Sequence, residues 1–161
     1  MRRITLIMVA AGLFAGMVAG LAVATPGSGV TSTVLAQGTL KDVDVRTKTG
    51  AWKAQITTKG TSDLIVRENR VAPGGHFGWH SHPGPSLVIV KSGTSTFYRG
   101  DDPTCTPQVH AAGTAYVDPG GTVHIARNES ETEELVLIVT SLIPQGAMGR
   151  IDEADPGTCP F

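Results

Sequence analysis

Between residues 63 and 140 the chain is a succession of short runs of β-branched and other apolar residues, each closed by glycine, proline or a polar cluster. DLIVRENRV (63–71) runs into Pro73-Gly74-Gly75, SLVIVK (86–91) into Ser92-Gly93, residues 114–117 into Asp118-Pro119-Gly120-Gly121, and LVLIVT (135–140) follows the polar turn 129–134. Residues 94–98 and 123–127 read as further strands, Ser92-Gly93 as a hairpin turn, and 99–107 as a charged, proline-containing loop. Short strands with a turn signal roughly every 8–12 residues close into a sandwich or barrel, because no helical spacer is available for βαβ units. The 20 Gly and 10 Pro agree with an all-β chain, and 161 residues leave room for one such domain.

The segment 73–93, PGGHFGWHSHPGPSLVIVKSG, carries the chemistry. His80 and His82 are two apart, so on a strand they point to one face, roughly 6.6 Å apart along the chain, and can converge on one ion. His124 follows as a third candidate ligand. His76 shares their parity, but four extended residues place it roughly 13 Å from His80. Direct coordination would need a bulge at Gly78, so His76 is assigned to a place behind the ligands, to the rim of the cavity or to a solvated loop. Trp79 and Phe77 have the opposite parity and are expected to pack away from the ligand face. Val88, Val90, Leu135, Leu137 and Val139 are expected to line an apolar cavity around the ion. His110 is placed on the surface, and Glu129, Glu131, Glu133 and Glu134 in a solvated turn.

Ahead of this lies a leader-like segment. Arg2 and Arg3 precede an apolar, Ala/Gly/Val-rich stretch, 4–24, and then Pro26 and Gly, Ser and Thr. Residues 1–36 are read as a secretory signal peptide, which places the protein in a secreted or extracytoplasmic compartment, with a retained membrane anchor as the alternative. Small residues permit cleavage after Ala24 or after Ala36, and the second is favoured because the folded part is expected to begin beyond it. Residues 37–62 are then a linker with edge strands around Val43, Val45 and 52–58, residues 63–140 the barrel, and 141–161 a C-terminal tail. In an exported protein Cys105 and Cys159, both in proline-rich surroundings, are expected to form one disulfide that tethers this tail, two free thiols being the alternative. Closing so long a loop stabilises a fold by roughly 4 kcal/mol on the chain-entropy account. A net charge of −1 with no like-charge run argues against nucleic acid, and against a membrane surface unless the leader is retained.

The two histidine-bearing segments together resemble the cupin family. Its first motif maps onto Gly74, His80, His82, the position of Ser86, and Gly93; its second onto Gly113, Pro119, Gly121, His124 and Asn128, with every spacing of the second kept. The resemblance implies a double-stranded β-helix, or jelly-roll, barrel with His80, His82 and His124 in its mouth as metal ligands. It also implies a glutamate ligand, and here the sequence departs: that position is Ser86 or Leu87, and neither supplies a carboxylate. Ser86 is left facing the pocket. Three neutral imidazoles suit Fe, Zn, Mn, Ni, Co or Cu better than Mg²⁺ or Ca²⁺. The implied function is a small exported cupin that binds a divalent transition metal. Two versions stand open: a dioxygenase-like enzyme acting on a diketone, enol or catechol-like substrate, and a non-catalytic module that binds a small molecule or metal. A homodimer is also open, since related barrels often pair through their sheets.

Overall fold

The computed structural model describes residues 24–161. They form twelve β-strands and no helix: β1 (Ser28–Leu40), β2 (Val43–Thr49), β3 (Trp52–Thr58), β4 (Ser62–His76), β5 (His80–Ser81), β6 (Ser86–Ser92), β7 (Thr94–Arg99), β8 (Gln108–Ala111), β9 (Ala115–Asp118), β10 (His124–Arg127), β11 (Leu135–Pro144) and β12 (Ile151–Asp152). All but β2 and β3 belong to one antiparallel sheet of ten strands. It folds into two halves, β1-β4-β11-β6-β9 and β12-β5-β10-β7-β8, joined where His76 of β4 pairs with Arg127 of β10. This is the expected all-β jelly-roll barrel.

The long strand β4 explains the join. Over Ser62–Val71 it pairs with β11 without a break, Val71 opposite Leu135 through Ser62 opposite Pro144. The segment Pro73-Gly74-Gly75, expected as a turn, instead carries the strand around a corner: the pairing with β1 skips from Val30/Val71 to Ser28/His76. Gly74 takes a φ of 69° there, a conformation that glycine tolerates and other residues resist. Asn128 holds the corner. Its Nδ2 donates to the carbonyls of Val71 (3.0 Å), Ala72 (3.2 Å) and Glu133 (2.7 Å), and its Oδ1 accepts from the Ser130 N–H.

Between the halves, Val71, Val88, Val90, Leu135 and Leu137 form a buried cluster, four of the five being expected lining residues; Val139 is half-buried against it. A second cluster, Trp79, Tyr98, Ile125 and Cys159, lies behind the ligand strand β5. The disulfide joins Cys105 to Cys159 (Cα–Cα 5.2 Å) and brings in the tail, so that Phe161 stacks on Trp79 (6.4 Å between centroids) and lies under the Arg127 guanidinium (4.0 Å).

Three expectations need correction. Residues 25–40 are not a signal remainder or linker, because Ser28–Leu40 is a barrel strand paired with β4 from Leu40/Ser62 to Ser28/His76; cleavage after Ala36 would sever it. The strands around Val45 and Ile56 do not edge the barrel but pair with each other as a separate hairpin. Ser92-Gly93 is not a hairpin turn, since β6 pairs with β9 and β11 while β7 pairs with β10 and β8; it is a corner between the halves, where a Cβ on Gly93 would crowd the Glu134 carbonyl. Of the expected leader, residues 1–23 lie outside the described residues. Among the described residues no helix is long and apolar enough to cross a membrane.

Asn128→Ala would remove a donor from the buried Val71 carbonyl and from the half-buried carbonyls of Ala72 and Glu133 at the corner. Its expected cost is about 3 kcal/mol, read as a lowered denaturant midpoint with an unchanged slope. A change within about 0.5 kcal/mol would show that the corner holds without the amide.

Candidate metal centre

His80 stands on β5 directly opposite His124 of β10, and His82 follows on the same face of the chain. The ring centroids lie 4.3 Å apart for His80 and His124, 4.8 Å for His80 and His82, and 5.2 Å for His82 and His124. One ring nitrogen from each lies within 4.8 Å of the others, a spacing at which three imidazoles can share an ion. A main-chain bond from Gly121 N–H to the His82 carbonyl (2.8 Å) ties the end of the β5 segment to the β9–β10 turn.

The backbone also fixes which nitrogens face inward. His80 Nδ1 lies 2.8 Å from the Gly78 carbonyl, His82 Nδ1 2.6 Å from the Gly149 carbonyl, and His124 Nδ1 3.0 Å from the Thr122 carbonyl. A carbonyl oxygen only accepts, so each Nδ1 carries the proton in the neutral ring and each Nε2 presents a lone pair. This is how proteins orient histidine ligands toward a metal.

Burial works in the same direction. It drives His80 down to about 2, helped by the neighbouring His124 and Arg150, against the opposing bond to Gly78. His124 is lowered too, chiefly by burial, with Asp118 opposing. Both rings are therefore neutral at pH 7, the state in which imidazole ligates.

The residue that sequence reasoning missed is Asp118, the last of β9. Its side chain is buried, and Oδ2 lies 3.3 Å from His124 Nε2 and 3.4 Å from His82 Nε2 with no hydrogen-bond donor. Oδ1 accepts from Gly120 N–H at 3.0 Å. The fit to a cation rests on this donor set: three nitrogen lone pairs and an orphaned carboxylate oxygen face one another with no proton between them in the neutral state. In the sequence Asp118 stands out only as the first residue of a turn signal.

Ser86 lines the cavity as expected, its Oγ 2.9 Å from Ser141 Oγ. His76 is not among the lining residues; its Nδ1 accepts from the N–H of Gly78 (3.1 Å), the residue whose carbonyl meets His80, so it stands behind that ligand. Phe77, expected to turn away, lines the cavity, because Gly78 at φ 74° breaks the alternation between Phe77 and Trp79. Trp79 does turn away and is buried. His110 is half-buried on an otherwise exposed strand and stacks on Tyr116, 4.1 Å between centroids.

The cavity in front of the histidines measures about 530 Å³. Val88, Phe97, Leu137 and Val139 make its apolar wall; Ser32, Asn69, Arg67 and Arg150 make its polar side. Arg150 is occupied, with Nε 2.6 Å from Asp152 Oδ1 and Nη2 2.7 Å from the Phe77 carbonyl. Arg67 forms no ion pair with a carboxylate among the described residues.

Comparison with known proteins gives a consistent result. Residues 68–141 match the family model of the cupin domain. A cupin-2 domain protein of Rhodospirillum rubrum superposes with a TM-score of 0.53 at 18% identity, over 81% of this chain and 69% of that one. A cupin superfamily protein of Desulfitobacterium hafniense gives 0.49 at 15% identity, over 71% and 77%. A cupin-like protein of Thermotoga maritima gives 0.49 at 25% identity, over 57% and 65%. Among curated protein sequences none matches the chain.

A histidine whose pKa is depressed on folding stabilises the native state above its unfolded value near 6.5, and that stability drains away as pH falls toward the folded value. For metal-free protein the denaturant midpoint is therefore expected to decline steadily from pH 6.5 downward, through His80 and His124. A midpoint that stays flat between pH 7 and 5 would contradict the neutral, buried state of the two rings.

Proposed function

Because residues 68–141 are a cupin domain, we propose that the barrel holds one divalent transition-metal ion on His80, His82 and His124 and that the adjoining cavity takes a small oxygen-rich organic ligand. The observation that carries this reading is the set of three Nδ1–carbonyl bonds, which leave three Nε2 lone pairs with a common target. Imidazole donors favour Fe, Zn, Mn, Ni, Co or Cu over Mg²⁺ or Ca²⁺. The ion, when bound, supplies Lewis acidity toward a ligand oxygen and, if it is iron, redox chemistry with dioxygen.

The remaining roles belong to the chain. Arg67, which has no carboxylate partner among the described residues, favours a ligand with an anionic oxygen, a carboxylate or an enolate, and pairs with it. The apolar wall excludes water from the rest of the molecule. Tyr116, raised to about 12 mainly by burial, stays protonated and serves as a hydrogen-bonding group, not as a base. That last point favours a second reading, a non-catalytic module that captures a small ligand. Arg150 is held by Asp152, so the cavity offers few free groups for proton transfer apart from the site itself.

We further read the leader as an export signal cleaved between Ala24 and Thr25, which leaves β1 whole. Thr25 is then already anchored, its N–H donating to the Glu153 carbonyl (3.1 Å) and its Oγ1 accepting from Trp79 N–H (2.8 Å). A disulfide between Cys105 and Cys159 suits the same extracytoplasmic setting. Edman sequencing of protein from the culture medium or periplasm should begin at Thr25, and a start at Gln37 would overturn this assignment.

Metal analysis of protein purified without a tag should find close to one first-row metal per chain, and His82→Ala should lose it. A wild type that carries no such metal and gains no thermal stability from any added first-row ion would end the metal reading. Oxygen uptake with a panel of keto acids, diketones and catechols then separates the two versions: turnover makes the protein an enzyme, and tight binding without turnover makes it a capture module.

A further inference from the structure

We propose that Asp118 supplies the fourth protein ligand, delivering from β9 the carboxylate that the cupin pattern places on β6 and that this chain lacks at Ser86. The inference rests on the three-histidine metal reading and deepens it.

Three independent features converge on Asp118. The first is register. Ser86 and Asp118 are direct cross-strand partners at the end of the β6–β9 ladder. Directly opposed residues put their side chains on the same face of a sheet, with Cβ atoms about 5 Å apart. Ser86 lines the cavity, so Asp118 enters the same space from the neighbouring strand. The small serine, drawn aside to Ser141 Oγ at 2.9 Å, leaves that space to the aspartate.

The second is orientation. Gly120 N–H fixes Oδ1 at 3.0 Å, and this bond points Oδ2 at the histidines. Were the carboxylate only a turn former, its second oxygen would be expected to find solvent or a donor. It has neither: Asp118 is 3% exposed, and Oδ2 has no hydrogen-bond partner.

The third is what Oδ2 faces. His82 and His124 keep their protons on Nδ1, against Gly149 and Thr122, so at 3.4 and 3.3 Å Oδ2 meets two lone pairs. Negative charge against two lone pairs is unfavourable without a positive centre among them, and a divalent cation is that centre.

The consequence is chemical. With Asp118 the donor set becomes three nitrogens and one oxygen, and the charge of the loaded site falls from +2 to +1. A six-coordinate ion would keep two positions for a chelating ligand, whereas a four-coordinate zinc ion would be saturated and closed. The assignment therefore favours Fe, Mn, Co or Ni wherever the cavity ligand meets the ion.

The test uses Co²⁺ and the full mature chain. Asp118→Asn preserves size and the acceptor for Gly120 N–H. It should weaken Co²⁺ binding in equilibrium dialysis by more than about tenfold and alter the visible d–d spectrum. Adding Ser86→Glu to Asp118→Asn, which returns a carboxylate to β6, should restore both. On the wild type alone, the infrared difference spectrum on adding Co²⁺ should contain the bands of a coordinated carboxylate, a readout independent of how any variant folds. Unchanged affinity and spectrum in Asp118→Asn, or no carboxylate bands in the wild type, would overturn the assignment while the three-histidine site stands. A wild type that binds no Co²⁺ or other first-row ion would instead overturn the metal reading itself.

Discussion

Asn128 is the joint on which the barrel turns. Its amide spans the corner of β4 and the turn between β10 and β11, donating to the Val71 carbonyl of the one and the Glu133 carbonyl of the other. Beyond the corner, the chain that leaves β4 reaches Gly78 and then His80; across from it, β10 brings His124. Together with the main-chain bonds Gly74 N–H to Ser130, Phe77 N–H to Ala126 and Asn128 N–H to Gly75, the Asn128 side chain ties together the two segments that carry the histidines. A buried polar group with all of its bonds made is also specific, because any other strand pairing would leave it unsatisfied.

The ligand strand is short and would be weak alone: both residues pair with β12 and only His80 pairs with β10. Its support comes from behind. Trp79 faces away from the histidines into a cluster closed by Tyr98, Ile125 and the disulfide, with Phe161 stacked over it. From the front, Thr25 crosses the same segment and bonds Trp79 N–H, and Gly78 has to be glycine because a Cβ would overlap the Thr25 carbonyl oxygen. The two ends of the described chain therefore meet at β5, one on each side. The hairpin β2–β3 takes no part in this and carries Val45, Trp52 and Ile56 exposed.

The parts of the molecule legible in the sequence were those written in a local code. Strand alternation put Val88 and Val90 inside, and the spacing of the two motifs brought His80, His82 and His124 to one place. What escaped depends on distant pairing. Residues 28–40 hold β-branched Val30, Thr31, Thr33, Val34 and Thr39 but bury almost none of them, so no apolar alternation marks a core strand; the pairing with β4 draws the segment into the barrel. Phe77 faces the cavity against simple alternation because a positive φ at Gly78 interrupts the strand. Asp118 was invisible for a related reason: it neighbours Ser86 only through the register of β6 with β9, across 32 residues of chain.

The carbonyls that orient the three histidines belong to Gly78, Thr122 and Gly149, and all are main-chain atoms. In many metal proteins this outer layer is made of carboxylate side chains, which substitution can remove and alignment can follow. Here the layer is written in chain path alone. Side-chain replacement at Thr122 deletes no orienting group, and the features that would disturb a ligand ring are those that move a peptide: insertions, deletions, bends, or a Cβ at Gly78. Evolution, or an engineer, can accordingly rework the cavity wall residue by residue while the aim of the imidazoles is preserved, and it is loop length between 144 and 151 that would retune His82.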